Sequence, residues 1–336
     1  MADTTFNNVK ITSEFTEAKV RENIVSGETL GTIFGKIQKN IGDLSNTAFD
    51  GNADTVDGLH ANEIASNPNL LINPDFAVNQ RGQTEYTASG YTVDRWQIST
   101  SAKLTPHDGY ITFESTVDKA TPPLYQKCEN PTALSGKTVT LSFDCDLKTE
   151  GAWISVQAVT NGSWNPSSPV QFTNTGRSVK STVINLPDNL TDLRVALVIH
   201  GTDSAPFAIA DIYGAKLELG KIATPIIPAD PARELARCQR YAMQITSGVQ
   251  VVAYRILTNS ISFFYPTPTT MRTAVTATAD FAVYTDIGTE HSDFTFACYI
   301  KPNGIIIEAT KVNHGITLAD SPILTVKSVG IFDAEL

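Results

Sequence analysis

Charge is scarce in this chain, and what there is leans one way. Asp, Glu, Lys and Arg make up 18 % of its 336 residues, and the formal net charge is −10. No Lys/Arg cluster offsets that balance, which argues against a general nucleic-acid binder. No apolar run approaches the roughly 18 residues a spanning helix needs, so no membrane insertion is expected. The opening "MADTTFNNVK" is polar and lacks the apolar core of a secretion signal; the expectation is a chain made in a cytoplasm. The four cysteines, Cys128, Cys145, Cys238 and Cys298, form no CxxC pair. That spacing argues against zinc and reads as reduced, mostly core thiols. The five histidines show no HExxH spacing, and GxSxG is absent. "SGKTVT" (Ser135 to Thr140) ends like a phosphate loop, but Pro131 stands where the upstream glycine belongs and a strand pattern follows. Acidic residues are plentiful enough for a glycosidase-type pair, yet no particular pair stands out. The chain is therefore expected not to be an enzyme.

What is present falls into unlike parts. Residues 1–66 hold the long helical pattern, with helices expected over about 16–25 and 28–44. Leu30, Ile37 and Leu44 repeat every seven residues, with Ile33, Phe34 and Ile41 on the same side. That is a short heptad stripe of coiled-coil type. One short helix has nothing nearby to bury such a stripe against, so self-association is the economical outcome. The turn-rich "FDGNADTVDGLHANEIASNPN" follows as a linker.

Residues 67–228 read as strands. Val139, Leu141, Phe143, Cys145 and Leu147 alternate with polar neighbours, and so do Leu193, Val195, Leu197 and Ile199. Period two with one apolar face means antiparallel strands packed on one side. Seven or eight such strands predict a sandwich, preferably a jelly roll. A connector helix is expected within 229–243, with Asp230 as N-cap and Pro231 in the first turn. Strand patterns resume over 244–336, where Asn303-Gly304 signals a hairpin. The expected fold class is thus mainly β: a helical, coiled-coil-like N-terminal segment, a jelly-roll sandwich and a smaller C-terminal β domain.

"LLINPDFAVNQRG" followed by "GYTVDRWQ" resembles the start of the carbohydrate-binding-module-like jelly roll of bacteriophage tail fibres and receptor-binding proteins. The resemblance continues through "LYQKCENPTALSGKTVTLSFDCDLK", "FAIADIYGAKLELGKIATP" and "RELARCQRYAMQI", and it takes in "NADTVDGLHA" and the terminal "FDAEL". It implies a homotrimeric virion protein, made in the bacterial cytoplasm and mounted on a tail or baseplate through its N-terminus. Such a protein recognises a bacterial surface saccharide during host adsorption. The alternatives are a tail-associated polysaccharide depolymerase or a purely structural tail subunit. No cofactor is implied beyond a structural calcium near the first loop, for which Asp75 and Asp211 are the candidate ligands. Pro74 departs from the glycine usual there, fixing φ and removing a donor.

For the saccharide itself, an aromatic platform flanked by amides is expected. Trp164, with Asn161 and Asn165 beside it, is the leading candidate, and Tyr86 and Tyr91 are expected to line a second edge. Trp153 is a weaker candidate because it begins a strand. Asp94, Arg95 and Trp96 read as a structural corner in which the indole plugs one end of the sandwich.

Overall fold

The structure is a computed structural model that describes residues 26–47, 55–56, 59–60, 67–165, 170–173, 175–285 and 288–335. The helix expected over 16–25 lies outside the described residues. The chain divides into two units, 1–65 and 66–336.

In the first unit, helix α1 runs Leu30–Thr47. Thr29 starts it: its hydroxyl accepts from the Thr32 N–H and its carbonyl from the Ile33 N–H. The helix begins two residues later than expected and ends three later. Ile33, Phe34 and Ile37 are half-buried, and Lys36 is ion-paired to Glu28. This is one helix of one chain, and a coiled coil is not part of what it shows. Strands β1 (Thr55–Val56) and β2 (Leu59–His60) pair antiparallel.

The second unit is mainly β. Its strands are β3 (Gly90–Tyr91), β4 (Gln97–Ile98), β5 (Ala102–His107), β6 (Tyr110–Ser115), β7 (Pro123–Lys127), β8 (Thr138–Leu147), β9 (Trp153–Thr160), β10 (Ser163–Trp164), β11 (Val170–Phe172), β12 (Gly176–Asn185), β13 (Leu193–His200) and β14 (Ile209–Leu219). Among the described residues these form a seven-stranded sheet, β10-β9-β13-β7-β4-β3 with β11 also on β9, and a five-stranded sheet, β12-β8-β14-β6-β5. The alternating apolar residues of both sheets meet in one core, where Leu141, Phe143 and Cys145 of β8 lie with Ile154, Val156, Leu197 and Ile199. The result is a jelly-roll-like β-sandwich. Edge strand β12 turns Lys180 inward, where its ammonium donates to the Cys145 carbonyl at 3.0 Å. An inward-pointing charge on an edge strand discourages further strand pairing.

Trp96 is buried in the sandwich core against Phe76 and Phe143, and its indole N–H donates to the Asn73 carbonyl at 2.7 Å. Asp230 caps helix α2 (Pro231–Cys238), accepting from the Arg233 N–H at 2.8 Å. The helix stops at Cys238, inside the expected 229–243 connector, and a turn over 239–241 leads into a strand. Ala242–Ile245 (β15) pairs with Gly330–Asp333 (β24). Buried Glu234 of α2 accepts from the Asn73 N–H at 2.6 Å, and Arg237 donates to the Leu71 carbonyl at 3.0 Å. The connector is thereby fastened to the first loop.

The remaining strands are β16 (Gln250–Leu257), β17 (Ser260–Pro266), β18 (Thr276–Ala277), β19 (Phe281–Thr285), β20 (Thr289–His291), β21 (Thr295–Lys301), β22 (Gly304–Thr310) and β23 (Ile323–Val326). They build a three-stranded sheet, β15-β24-β18, and a seven-stranded one, β20-β19-β23-β16-β17-β22-β21. These enclose a second core around Ile261, Phe263, Ile305, Ile307 and Phe332. The β21–β22 hairpin turns through Pro302-Asn303, since Lys301 pairs with Gly304. Gly304 itself lies in the strand, against Phe264.

Candidate functional site

The outer face of the first seven-stranded sheet presents the candidate site. Asn161 and Gly162 both have positive φ, 51° and 81°, and together join β9 to β10. Two consecutive positive φ values make the tight primed turn that suits a hairpin, which is why Asn-Gly stands there. The turn sets Trp164 opposite Val159, with the indole 51 % exposed.

Register then assembles the rest. Val159 faces Arg194, which faces Lys127. One row over, Gln157, Ala196, Tyr125, Gln97 and Tyr91 follow across five strands. Their inward neighbours Ile154, Val156, Ala158, Val195 and Leu197 lie in the core, so these rows point outward. Ser99, Pro123, Tyr125, Val159, Trp164, Arg194 and Ala196 line a cavity of about 250 Å³. Its walls combine an indole, a phenol, short aliphatics and one guanidinium.

Four of the residues singled out from sequence sit differently from that reading. Asn161 does not reach the groove: its amide oxygen accepts from Thr191 N, Thr191 Oγ1 and Asp192 N, and its amide nitrogen donates to the Asn189 carbonyl. The side chain fastens one loop to another. Asn165 is buried, and its amide donates to the Asn185 carbonyl at 3.2 Å. Tyr86 is a core residue, bridged to Leu104 and hydrogen-bonded through its hydroxyl to Asn79. Burial pushes its phenol up to about 12. Asp211 already accepts from Thr112 at 2.7 Å and pairs with Lys148 at 3.1 Å. The Asp75 carboxylate accepts from the Ala77 N–H at 3.5 Å. Among the described residues no three His, Cys, Asp or Glu side chains are grouped to hold a metal ion.

Trp164 and Tyr91 share the outer face, at opposite margins of the sheet. Tyr91 also lies under the Arg81 guanidinium, 5.3 Å from its ring centre, and lines a polar cavity of about 350 Å³ with Arg81, Gln83, Gln244 and Asp333. A roomier cavity of about 680 Å³ opens beside Phe281 and Phe296. It is a gap at the margin of the second core, its single carboxylate being Asp280, which accepts from Ser328. Room alone does not make a site without convergent polar groups.

Trp153 stacks on His200 with ring centres 3.4 Å apart and planes 4° from parallel. His200 Nε2 lies 2.8 Å from the Ser155 hydroxyl, and Ser155 is fully buried. Burial alone pulls the imidazole down to about 4. An unfolded histidine titrates near 6.5. Between those values the unfolded chain binds the extra proton, so His200's contribution to stability is present above about pH 6.5 and is lost as pH falls toward 4. A histidine-selective NMR titration should show His200 neutral at pH 5; a midpoint near 6.5 would contradict its burial beneath Trp153.

Tyr125, Arg194 and Gln157 were not legible as site residues, because each becomes one only through strand pairing. The signal that was available is the Asn161-Gly162 pair, a hairpin turn that fixes where Trp164 points.

No protein-family model matches the sequence, and neither does any curated protein. Solved structures similar to the chain include carbohydrate-binding modules with β-sandwich folds. They include TmCBM61, solved with β-1,4-galactotriose, at 15 % identity and a TM-score of 0.32 over 46 % of this chain and 99 % of that one. A CBM4 structure matches at 16 % identity and a TM-score of 0.30, over 44 % of this chain and 98 % of that one. The tandem CBM22 domains of Paenibacillus barcinonensis Xyn10C match at 13 % and 0.33, over 81 % and 99 %.

Proposed function

We propose that the protein binds a saccharide on the outer face of the first seven-stranded sheet, as the receptor-binding component of a bacteriophage tail fibre or baseplate. The single observation that carries the saccharide reading is Trp164. A half-exposed indole stands beside Tyr125 over a groove, with Gln157, Gln97 and Arg194 on the surrounding rows. Pyranose rings have an apolar face that stacks on aromatics and a hydroxyl rim that takes amide and guanidinium hydrogen bonds. The phage assignment rests on the order of the sequence motifs. In this reading the N-terminal segment trimerises and attaches to other tail proteins, and the sandwich presents the groove to a bacterial surface glycan.

The protein binds without catalysis in this reading. Ser155, the hydroxyl nearest a histidine on this sheet, is buried beneath the Trp153–His200 stack and is closed to substrate. A glycan panel run beside a reducing-sugar assay tests both parts: binding to one glycan class is expected, with no reducing ends released. Release of reducing ends would favour the depolymerase alternative, and no binding at all the structural subunit. Light scattering on the intact chain should give three copies at micromolar concentration. A monomer mass would remove the trimer from the proposal.

A further inference from the structure

The Trp164 groove does not close at Arg194. Arg194 and Lys127 are direct cross-strand partners on the same outer face. Asp192 stands 3.4 Å from each of them. Those separations are ion pairs without a hydrogen bond: Asp192 Oδ1 and Arg194 Nε are both buried with no hydrogen-bond partner. Beyond Lys127 a second hollow of about 360 Å³ opens, walled by Glu129, Asn130, Thr191 and Arg272. There Glu129 takes Arg240 at 2.8 Å and Arg272 at 3.9 Å. Across this stretch four cationic side chains meet two carboxylates. That is a local positive excess on a chain whose formal net charge is −10. Three strand spacings separate Trp164 from Lys127, roughly 14 Å, which suits a run of linked sugars better than a single ring.

We propose that this positive track extends the Trp164 groove and selects an anionic saccharide chain, its charge carried by carboxylate or phosphate groups along the polymer. The inference rests on the saccharide reading of Trp164 and adds the ligand's charge. Arg194 supplies donors beside the stacked ring. Lys127 and Arg272 meet substituents further along the chain. Partly exposed guanidinium and ammonium groups keep most of their hydration, so they discriminate charge and raise the on-rate more than they tighten neutral binding.

The test uses the full chain and three probes: polygalacturonate, the same polymer with its carboxyl groups reduced, and a glycerol phosphate polymer. At low salt, polygalacturonate should bind about tenfold more tightly than its reduced counterpart. The advantage should shrink as salt rises from about 0.05 to 0.5 M, because exposed charges are screened. Arg272→Gln should cost the charged polymer about threefold and leave the neutral one unchanged. An unchanged melting temperature shows that this variant is folded. Binding of the glycerol phosphate polymer with the same Arg272→Gln loss supports the inference with phosphate as the source of charge. Equal binding of the charged and reduced polymers overturns it while the Trp164 reading survives. So does binding confined to neutral glycans of the panel. If Trp164→Ala changes binding of no probe, the saccharide reading fails, and this inference with it.

Discussion

Replacing Arg95 with Met should lower the stability of the folded chain by about 3–5 kcal/mol, the usual consequence of stripping one partner from a buried ion pair. Arg95 is 1 % exposed and Glu335 3 % exposed. Their side chains are ion-paired, and the Arg95 N–H also donates to Glu335, at 3.3 Å. The guanidinium further donates to the Lys127 carbonyl at 2.8 Å and lies 3.7 Å over the Tyr241 ring. It therefore ties the sandwich to the segment after α2 and to the residues following β24. Methionine fills the volume but leaves the buried Glu335 carboxylate with Arg81, 3.6 Å away, as its remaining cationic neighbour beside the residue-95 N–H, and removes the guanidinium donor from the Lys127 carbonyl. Chemical denaturation should show a lower midpoint, with the second core exposed before the first. An unchanged midpoint would show that the pair contributes nothing net, as some buried pairs do.

Trp164→Ala should weaken saccharide binding about thirtyfold or more, since a central aromatic anchor is worth at least about 2 kcal/mol. Tyr125→Ala should follow it, because the two rings line one groove. The indole is 51 % exposed and is not among the core residues, so Trp164→Ala should leave stability within about 0.5 kcal/mol. That separation makes the result readable. Unchanged affinity with an intact fold would move the site elsewhere.

Local patterning carried much of the fold. The alternation from Val139 to Leu147 gave β8, and Asp230-Pro231 gave the start of α2, because period and capping are properties of neighbouring residues. The end of α2 was hidden, since it depends on β24, nearly a hundred residues away, taking Ala242–Ile245. The polar loop Asn79-Gln80-Arg81-Gly82 was opaque for the same reason. Gln80 donates to the Ala242 carbonyl at 2.6 Å and Arg81 to Asp333 at 2.9 Å, so the loop is the seat of the second core's three-stranded sheet. Buried Asp94 sits beneath it, accepting from the Gln80 N–H at 2.9 Å, and desolvation pushes its carboxyl up to about 6.

At the site, residue type was visible and direction was not. Asn161, Asn165 and Tyr86 have the chemistry of sugar ligands, but the first fastens loops and the other two are buried. Tyr125 joins Arg194 and Ala196 only through the β7–β13 pairing, and Trp164 only through β13–β9–β10. Sequence spacing cannot supply that register.

The most direct measurement is a chemical-shift map of the full chain, titrated with the tightest-binding oligosaccharide of the panel. The account predicts shifts at the Trp164 indole N–H and at the backbone of Val159, Arg194, Ala196 and Tyr125, with the second seven-stranded sheet silent. Shifts confined to that second sheet, or a silent Trp164 indole at saturation, would contradict it.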